Sequence, residues 1–421
     1  MHSTVLKVLN RLAFNLAALL FNKIAALLLQ IILIPILISQ SGPSGYSTFA
    51  VVVNIAMIFS VIPVSYKLKI LERFQGHSLQ EVYNHPAFIS SNIKLLCYFT
   101  LGVALILPTV VLSAHMIPQI EGVFAISLLT YAIFIVLLSH SMIGVDAILE
   151  LDLRINRLYI LTSTGYVVAA GLLLLGEWSS AMALAIGASA TLAPPLIARA
   201  VNLGQFINLK ILLEARRCDN GIKFLNEFLI INITASIIIY GLVPFIAVFL
   251  PETIVAEYAA KFKLIHLSTT IFIAVTNLLW PAVARLRASE KIAGDVVFIY
   301  VCIYVLVIPV IGAAAFLIAA PGLFVLLSID ELGSAVSLVG LSAILCTWCM
   351  KHALRVYFFL IQDTKFVAKT ALLELVVLSG CIPVLNIFED INILLIYMLI
   401  VSVSCVIAPL GLRSYTSSRR I

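Results

Sequence analysis

A chain of 421 residues that is 62% hydrophobic and 11% charged has too little polar surface to cover a soluble core, so a water-soluble domain is excluded. The net charge of +6 does not point to nucleic acid, because the cations are spread along the chain and form no single basic surface. They fit contact with membrane lipids of an anionic inner leaflet instead.

A spanning helix needs roughly 20 consecutive apolar residues. Such runs occur at about 12–39, 46–66, 91–111, 121–143, 158–176, 180–199, 226–250, 258–284, 295–317, 334–357, 368–386 and 391–411. Their length and lack of period-two alternation predict helices rather than barrel strands. The expected fold class is therefore all-α: a polytopic integral membrane protein of about twelve transmembrane helices. Turns are expected at Ser41-Gly42-Pro43-Ser44-Gly45, Pro118, Pro251 and Pro321-Gly322.

The basic residues sort by side. Lys7 and Arg11 precede the first run; Lys67, Lys69 and Arg73 follow the second; Arg154 and Arg157 follow the fourth. Arg199, Lys210, Arg216, Arg217 and Lys223 follow the sixth, and Arg285, Arg287 and Lys291 the eighth. Lys351, Arg355, Lys365 and Lys369 follow the tenth, and Arg413, Arg419 and Arg420 the last. The intervening loops carry acids, including Glu121, Glu177, Glu252, Glu257, Asp330, Glu331, Glu389 and Asp390. That bias is the positive-inside pattern, and it predicts cytoplasmic N- and C-termini. None of the seven cysteines falls in an external loop, so a disulfide framework is not expected, and Cys346 and Cys349 read as small buried residues rather than metal ligands.

The basic segment 200–225 divides the runs evenly, predicting an N-terminal six-helix lobe (1–199), a cytoplasmic amphipathic linker (200–225) and a C-terminal lobe (226–421). The halves open alike. Asn15, Ile34-Pro35, a Gly/Pro turn and Tyr46-Ser47-Thr48-Phe49 are echoed by Asn226, Val243-Pro244, the Pro251 turn and Tyr258-Ala259-Ala260-Lys261-Phe262. A duplicated half with a site between the copies suits alternating access.

No Walker, HExxH or GxSxG signature is present, so no catalytic residue, cofactor or metal is expected. The informative groups are polar residues within apolar runs. Lys23 lies mid-run, where a charge costs about 2.5–3.5 kcal/mol on insertion scales and needs a wet cavity or a partner. Asn15, Asn22 and Gln30 recur at helical spacing, with Lys23 beside them. Together with Lys261, Lys263 and His266 of the eighth run they form the expected substrate-binding set; snorkelling to the interface is the plainer reading of Lys261. Glu374 is expected to pair with Lys365 or Lys369 on its own helix, the alternative being a protonatable coupling group.

These features resemble the multidrug/oligosaccharidyl-lipid/polysaccharide exporter superfamily, and within it the bacterial O-antigen (Wzx-type) flippases. The resemblance rests on Pro35 through Phe49, Tyr258 through Lys263, and Pro281-Ala282-Val283-Ala284. It implies two six-helix lobes around a central cavity in the bacterial inner membrane. It also implies translocation of an undecaprenyl-pyrophosphate-linked oligosaccharide, with Lys23 on the pyrophosphate. A polysaccharide polymerase, chain-length machinery and an H+ or Na+ gradient would be the partners of such a protein. Drug-exporting relatives carry an acid in the first span, where this chain has Lys23. Two other readings stand beside it: an ion-coupled multidrug or small-molecule antiporter of the same fold, and a membrane polysaccharide polymerase, against which the short external loops argue.

Thiol tags placed at Ser44, Glu252 and Asp390 should react with an impermeant reagent from outside intact cells, and a tag beside Arg216 should not. Labelling of the Arg216 region from outside overturns the orientation.

Overall fold

The computed structural model describes residues 2–59, 132–133, 156–175, parts of 183–197, 226–290, 307–332, 335–360, 364–380, 391–392 and 394–404. The expected runs at 91–111 and most of 121–143, and the linker 200–225, lie outside the described residues.

Helix α1 (His2–Phe59) is two helices joined at Gly42. That residue has φ 66° and ψ −175°, a region open essentially to glycine alone. Pro43 then starts the returning arm, where a missing N–H costs nothing. The turn read from Ser41-Gly42-Pro43 is therefore present. Helix α2 (Asn156–Leu175) packs along α1.

The second half opens with α3 (Asn226–Tyr240) and the short α4 (Leu242–Ile246). The expected continuous span 226–250 is broken here, since Pro244 offers no N–H to the turn before it. After Pro251 comes α5 (Glu252–Glu290), longer at both ends than expected. Glu257, read as an external-loop acid, is instead buried inside α5.

Helix α6 (Ile308–Leu326) runs through Pro321-Gly322, read as a turn. The helix ends instead at Ser328, whose φ of 52° lets the Ile329 N–H reach the Phe324 carbonyl at 2.9 Å. Helices α7 (Leu338–Leu360) and α8 (Thr364–Ser379) follow, and residues 394–404 are helical. Helix α5 packs on α7, α7 on α6, α3 on α8, and α1 on both α3 and α5.

Both halves bury the residues flanking their deep proline. Ile34 and Leu37 in the first, and Val243 and Ile246 in the second, belong to one contiguous core. The returning helices repeat an aromatic pair, Tyr46 on Phe49 with centroids 6.2 Å apart and Tyr258 on Phe262 at 5.0 Å. Large apolar side chains such as Leu174, Leu175, Ile318, Val325, Val376 and Ile400 point outward. That is the inverse of a soluble surface and fits a lipid solvent. Residues Arg157–Leu175 and Ile308–Leu326 are each long and apolar enough to cross a membrane.

Where lipid removes the hydrophobic drive between helices, close backbone approach takes over. Gly165 of α2 faces Thr191: a Cβ there would lie 2.4 Å from the Thr191 backbone nitrogen. A Cβ on Gly187 would lie 2.3 Å from the Ala169 Cβ. Gly165→Val and Gly187→Val should each force these helices apart, costing at least about 1–3 kcal/mol, and should cut membrane abundance and the thermal midpoint in detergent. Gly171→Val, with open space around its Cβ position, should change neither.

Candidate functional site

The residues expected to bind substrate do not share one fate. Asn15 and Asn22 are both buried in α1. The Asn22 amide donates to the Tyr159 carbonyl at 3.1 Å, Thr162 Oγ1 at 3.0 Å and Ser163 Oγ at 3.1 Å. These bonds tie α1 to α2, so the expected contact of Asn22 with sugar is replaced by a helix-to-helix bond. The backbone of Gln30 is helical, and its side chain lies outside the described ones.

Lys261 is also committed. Its ammonium lies 2.5 Å from Glu257 Oε1, one helical turn back on α5, and both residues are at least 95% buried. Glu257 accepts two further bonds, from the Ala335 N–H at 3.1 Å and the Val336 N–H at 2.9 Å. Lys261 also lies 3.4 Å from the Val336 carbonyl and 5.3 Å from the centre of the Phe324 ring. The expected roles of Lys261, substrate contact or interfacial snorkelling, are therefore corrected to a buried ion pair. Its signal was present in the sequence as an acid four residues before a base.

Lys23, Lys263 and His266 are related through the imidazole ring. Lys263 and His266 are one turn apart on α5, and the charges of Lys263 and of Lys23, from α1, both act on the His266 ring. Tyr240 at the end of α3 completes the group: its hydroxyl is 2.9 Å from His266 Nε2, with the rings edge-on at 4.8 Å. Thr270 flanks the same nitrogen at 3.4 Å while donating to the His266 carbonyl at 2.7 Å. His266 Nδ1 is buried and has no hydrogen-bond partner among the described residues. The helices that carry the two lysines and the histidine are neighbours, since α1 packs on α3 and α5. Sequence spacing gave no hint of Tyr240, which lies 26 residues before His266.

Glu374 of α8 does not pair within its own helix. It binds the Lys351 ammonium and, at 3.4 Å, Arg355 Nη2, both on α7. This corrects the expected partners Lys365 and Lys369: a buried carboxylate takes the cations inside the protein, whereas Lys365 and Lys369 are exposed. Both buried acids among the described residues, Glu257 and Glu374, are thus ion-paired.

No protein-family model matches the sequence, and no curated protein sequence does. Solved structures match over nearly the whole chain. A MOP superfamily transporter from Pyrococcus furiosus, described as having a binding pocket of reverse polarity that suggests a different function, is 16% identical with a TM-score of 0.66, covering 98% of this chain and 96% of that one. An outward-facing multidrug resistance MATE family transporter of the MOP superfamily is 15% identical with a TM-score of 0.65, covering 98% and 96%. An inward-facing one is 15% identical with a TM-score of 0.64, covering 94% and 95%. The chain has the all-helical, two-lobed, twelve-helix fold of these multi-pass membrane proteins.

Glu257→Ala would leave the Lys261 charge and two backbone N–H groups buried without their acceptor. It should destabilise the protein by about 3–5 kcal/mol, read as a lowered thermal midpoint in detergent. Glu257→Gln with Lys261→Met removes both charges and keeps one acceptor, and should recover most of that loss. A double variant no more stable than Glu257→Ala contradicts this account of the pair.

Proposed function

We propose that the protein is an alternating-access transporter whose cargo passes between the two halves and carries negative charge. One observation carries the reading: Lys263 lies one turn from His266 on α5 and the charge of Lys23 bears on the same ring, in a chain whose first helix has no acid and whose described buried acids are ion-paired. An interior of that polarity repels organic cations and offers charge-assisted hydrogen bonds to carboxylate, sulfonate or phosphate oxygens. The solved neighbours include multidrug transporters, and they support export of a small molecule, coupled to H+ or Na+, better than they support flipping of a lipid-linked oligosaccharide. The reverse-polarity neighbour supports a cargo unlike that of its relatives.

On this reading no residue forms a covalent intermediate. Inward- and outward-open states exchange, and cargo and coupling ion stabilise them differently. The lobes are 1–199 and 226–421 joined by 200–225; the repeated proline and tyrosine packing supports that division. The charge bias supports cytoplasmic termini and residence in a bacterial inner membrane. A second reading keeps the undecaprenyl-pyrophosphate-linked oligosaccharide as cargo, favoured by the same cationic group, which would meet a pyrophosphate.

Proteoliposomes with an imposed H+ or Na+ gradient test the main reading. An anionic dye should be transported and a cationic one should not. Lys263→Ala and Lys23→Ala should each slow anion transport about tenfold, the effect of losing roughly 1.4 kcal/mol of binding; Lys23→Arg should retain more activity. Transport of the cation alone overturns the assignment of charge. Restoration of surface glycan in a flippase-null cell, lost again with Lys23→Ala at equal abundance, would select the lipid-linked cargo.

A further inference from the structure

A second cluster of buried polar groups takes no part in the transport reading. On α7, Trp348, Lys351, His352 and Arg355 recur three, four and seven residues apart and so share one face. Trp348 meets Phe262 of α5 edge-on at 5.4 Å, and His352 meets Phe272 of α5 at 6.4 Å. The carboxylate that meets this face among the described residues is Glu374 of α8, 1% exposed.

Two donors on this face, on Trp348 and His352, have no acceptor among the described residues. Glu374 Oε1 is taken by the Lys351 ammonium. Oε2 lies 3.4 Å from Arg355 Nη2, long for a charge-assisted bond, and a guanidinium has five N–H donors to place. Trp348 is 3% exposed, and its Nε1–H finds no protein acceptor. His352 Nε2 is likewise buried without a partner. Indole N–H can only donate, and a buried donor left unpaired is costly.

We propose that this face of α7 binds a small monovalent anion of the halide class. The indole N–H of Trp348, the Nε2–H tautomer of His352 and the Arg355 guanidinium hold it. Size and charge follow from the surroundings. The aromatic rings of Phe262 and Phe272 lie against Trp348 and His352 and make the surroundings apolar. Desolvation cost rises steeply with charge, so a weakly hydrated monovalent ion enters such a place where a divalent phosphate or sulfate does not. The ion would add charge balance beside Arg355 and fasten α7 to α5 and α8. It acts apart from the cargo, and its binding does not depend on what the protein transports.

The test uses the full chain in lipid nanodiscs. Trp178→Phe with Trp280→Phe leaves Trp348 as the sole tryptophan of the chain's three. At constant ionic strength, iodide replacing gluconate should quench Trp348 fluorescence saturably, and chloride should raise the thermal midpoint above that in gluconate. Arg355→Lys keeps the positive charge beside Glu374, and His352→Phe keeps an aromatic ring against Phe272. Each should weaken the saturable phase at least tenfold while leaving the melt in gluconate unchanged. Linear quenching equal in parent and variants, with no difference between chloride and gluconate, overturns the site. Sulfate acting as strongly as chloride overturns the choice of a monovalent ion.

Discussion

The second half of this protein is organised around a carboxylate that cannot be left alone. Glu257 is 1% exposed, in surroundings where an isolated charge is untenable. Lys261 neutralises it from one turn further along α5, and the Ala335 and Val336 N–H groups fill its remaining acceptor sites. Lys261 in turn reaches the Val336 carbonyl and the face of Phe324 on α6. Asn392 grips the same segment from another side, accepting from the Ser337 N–H at 3.0 Å and donating to the Ala335 carbonyl at 2.7 Å. Three elements and the approach to α7 are therefore held by one small polar network. A network of this kind specifies an arrangement more than it stabilises one, because the desolvation of both charges offsets much of their attraction.

Elsewhere the chain solves the same problem with different means. Helices in lipid gain little from burying apolar surface against one another, since the lipid is equally apolar. Between α1 and α2 the bond is an amide, Asn22, shared among a carbonyl and two hydroxyls. Between α2 and the segment containing Gly187 and Thr191 it is the absence of side chains, which lets backbones touch. Between α7 and α8 it is again a buried carboxylate with two cations. These joints are polar or small, within a core that also buries large residues such as Leu33, Tyr258 and Trp348.

The junction of the halves is built otherwise. Tyr240, Lys263 and His266 are gathered from α3 and α5, and the charge of Lys23 from α1 bears on them. Here two lysines bear on one imidazole ring, so the charge of this junction is cationic at His266. The fold shared with multidrug transporters carries no such polarity by itself, since one architecture serves many cargos.

Much of the architecture is legible in the order of residues. Apolar runs of spanning length, the sorting of Lys and Arg, and the break at Gly42-Pro43 follow from local rules: backbone satisfaction in lipid, charge bias, and a φ that only glycine adopts. The Pro and Tyr pattern recurs along the sequence, and Tyr46 packs on Phe49 as Tyr258 packs on Phe262. Lys23, Lys263 and His266 were visible as polar groups in apolar surroundings. The partners were not visible. Pro321-Gly322 reads as a turn, yet stays helical because the chain reverses at Ser328 instead. Asn22 and Glu374 looked available to a cargo or to neighbours on their own helix, and tertiary structure gave them to α2 and α7. Local sequence sets which residues are polar and how deep they lie along a helix. Which of them meet depends on the rotation and crossing of helices far apart in the chain, and that is decided only when every buried polar group must find a partner at once.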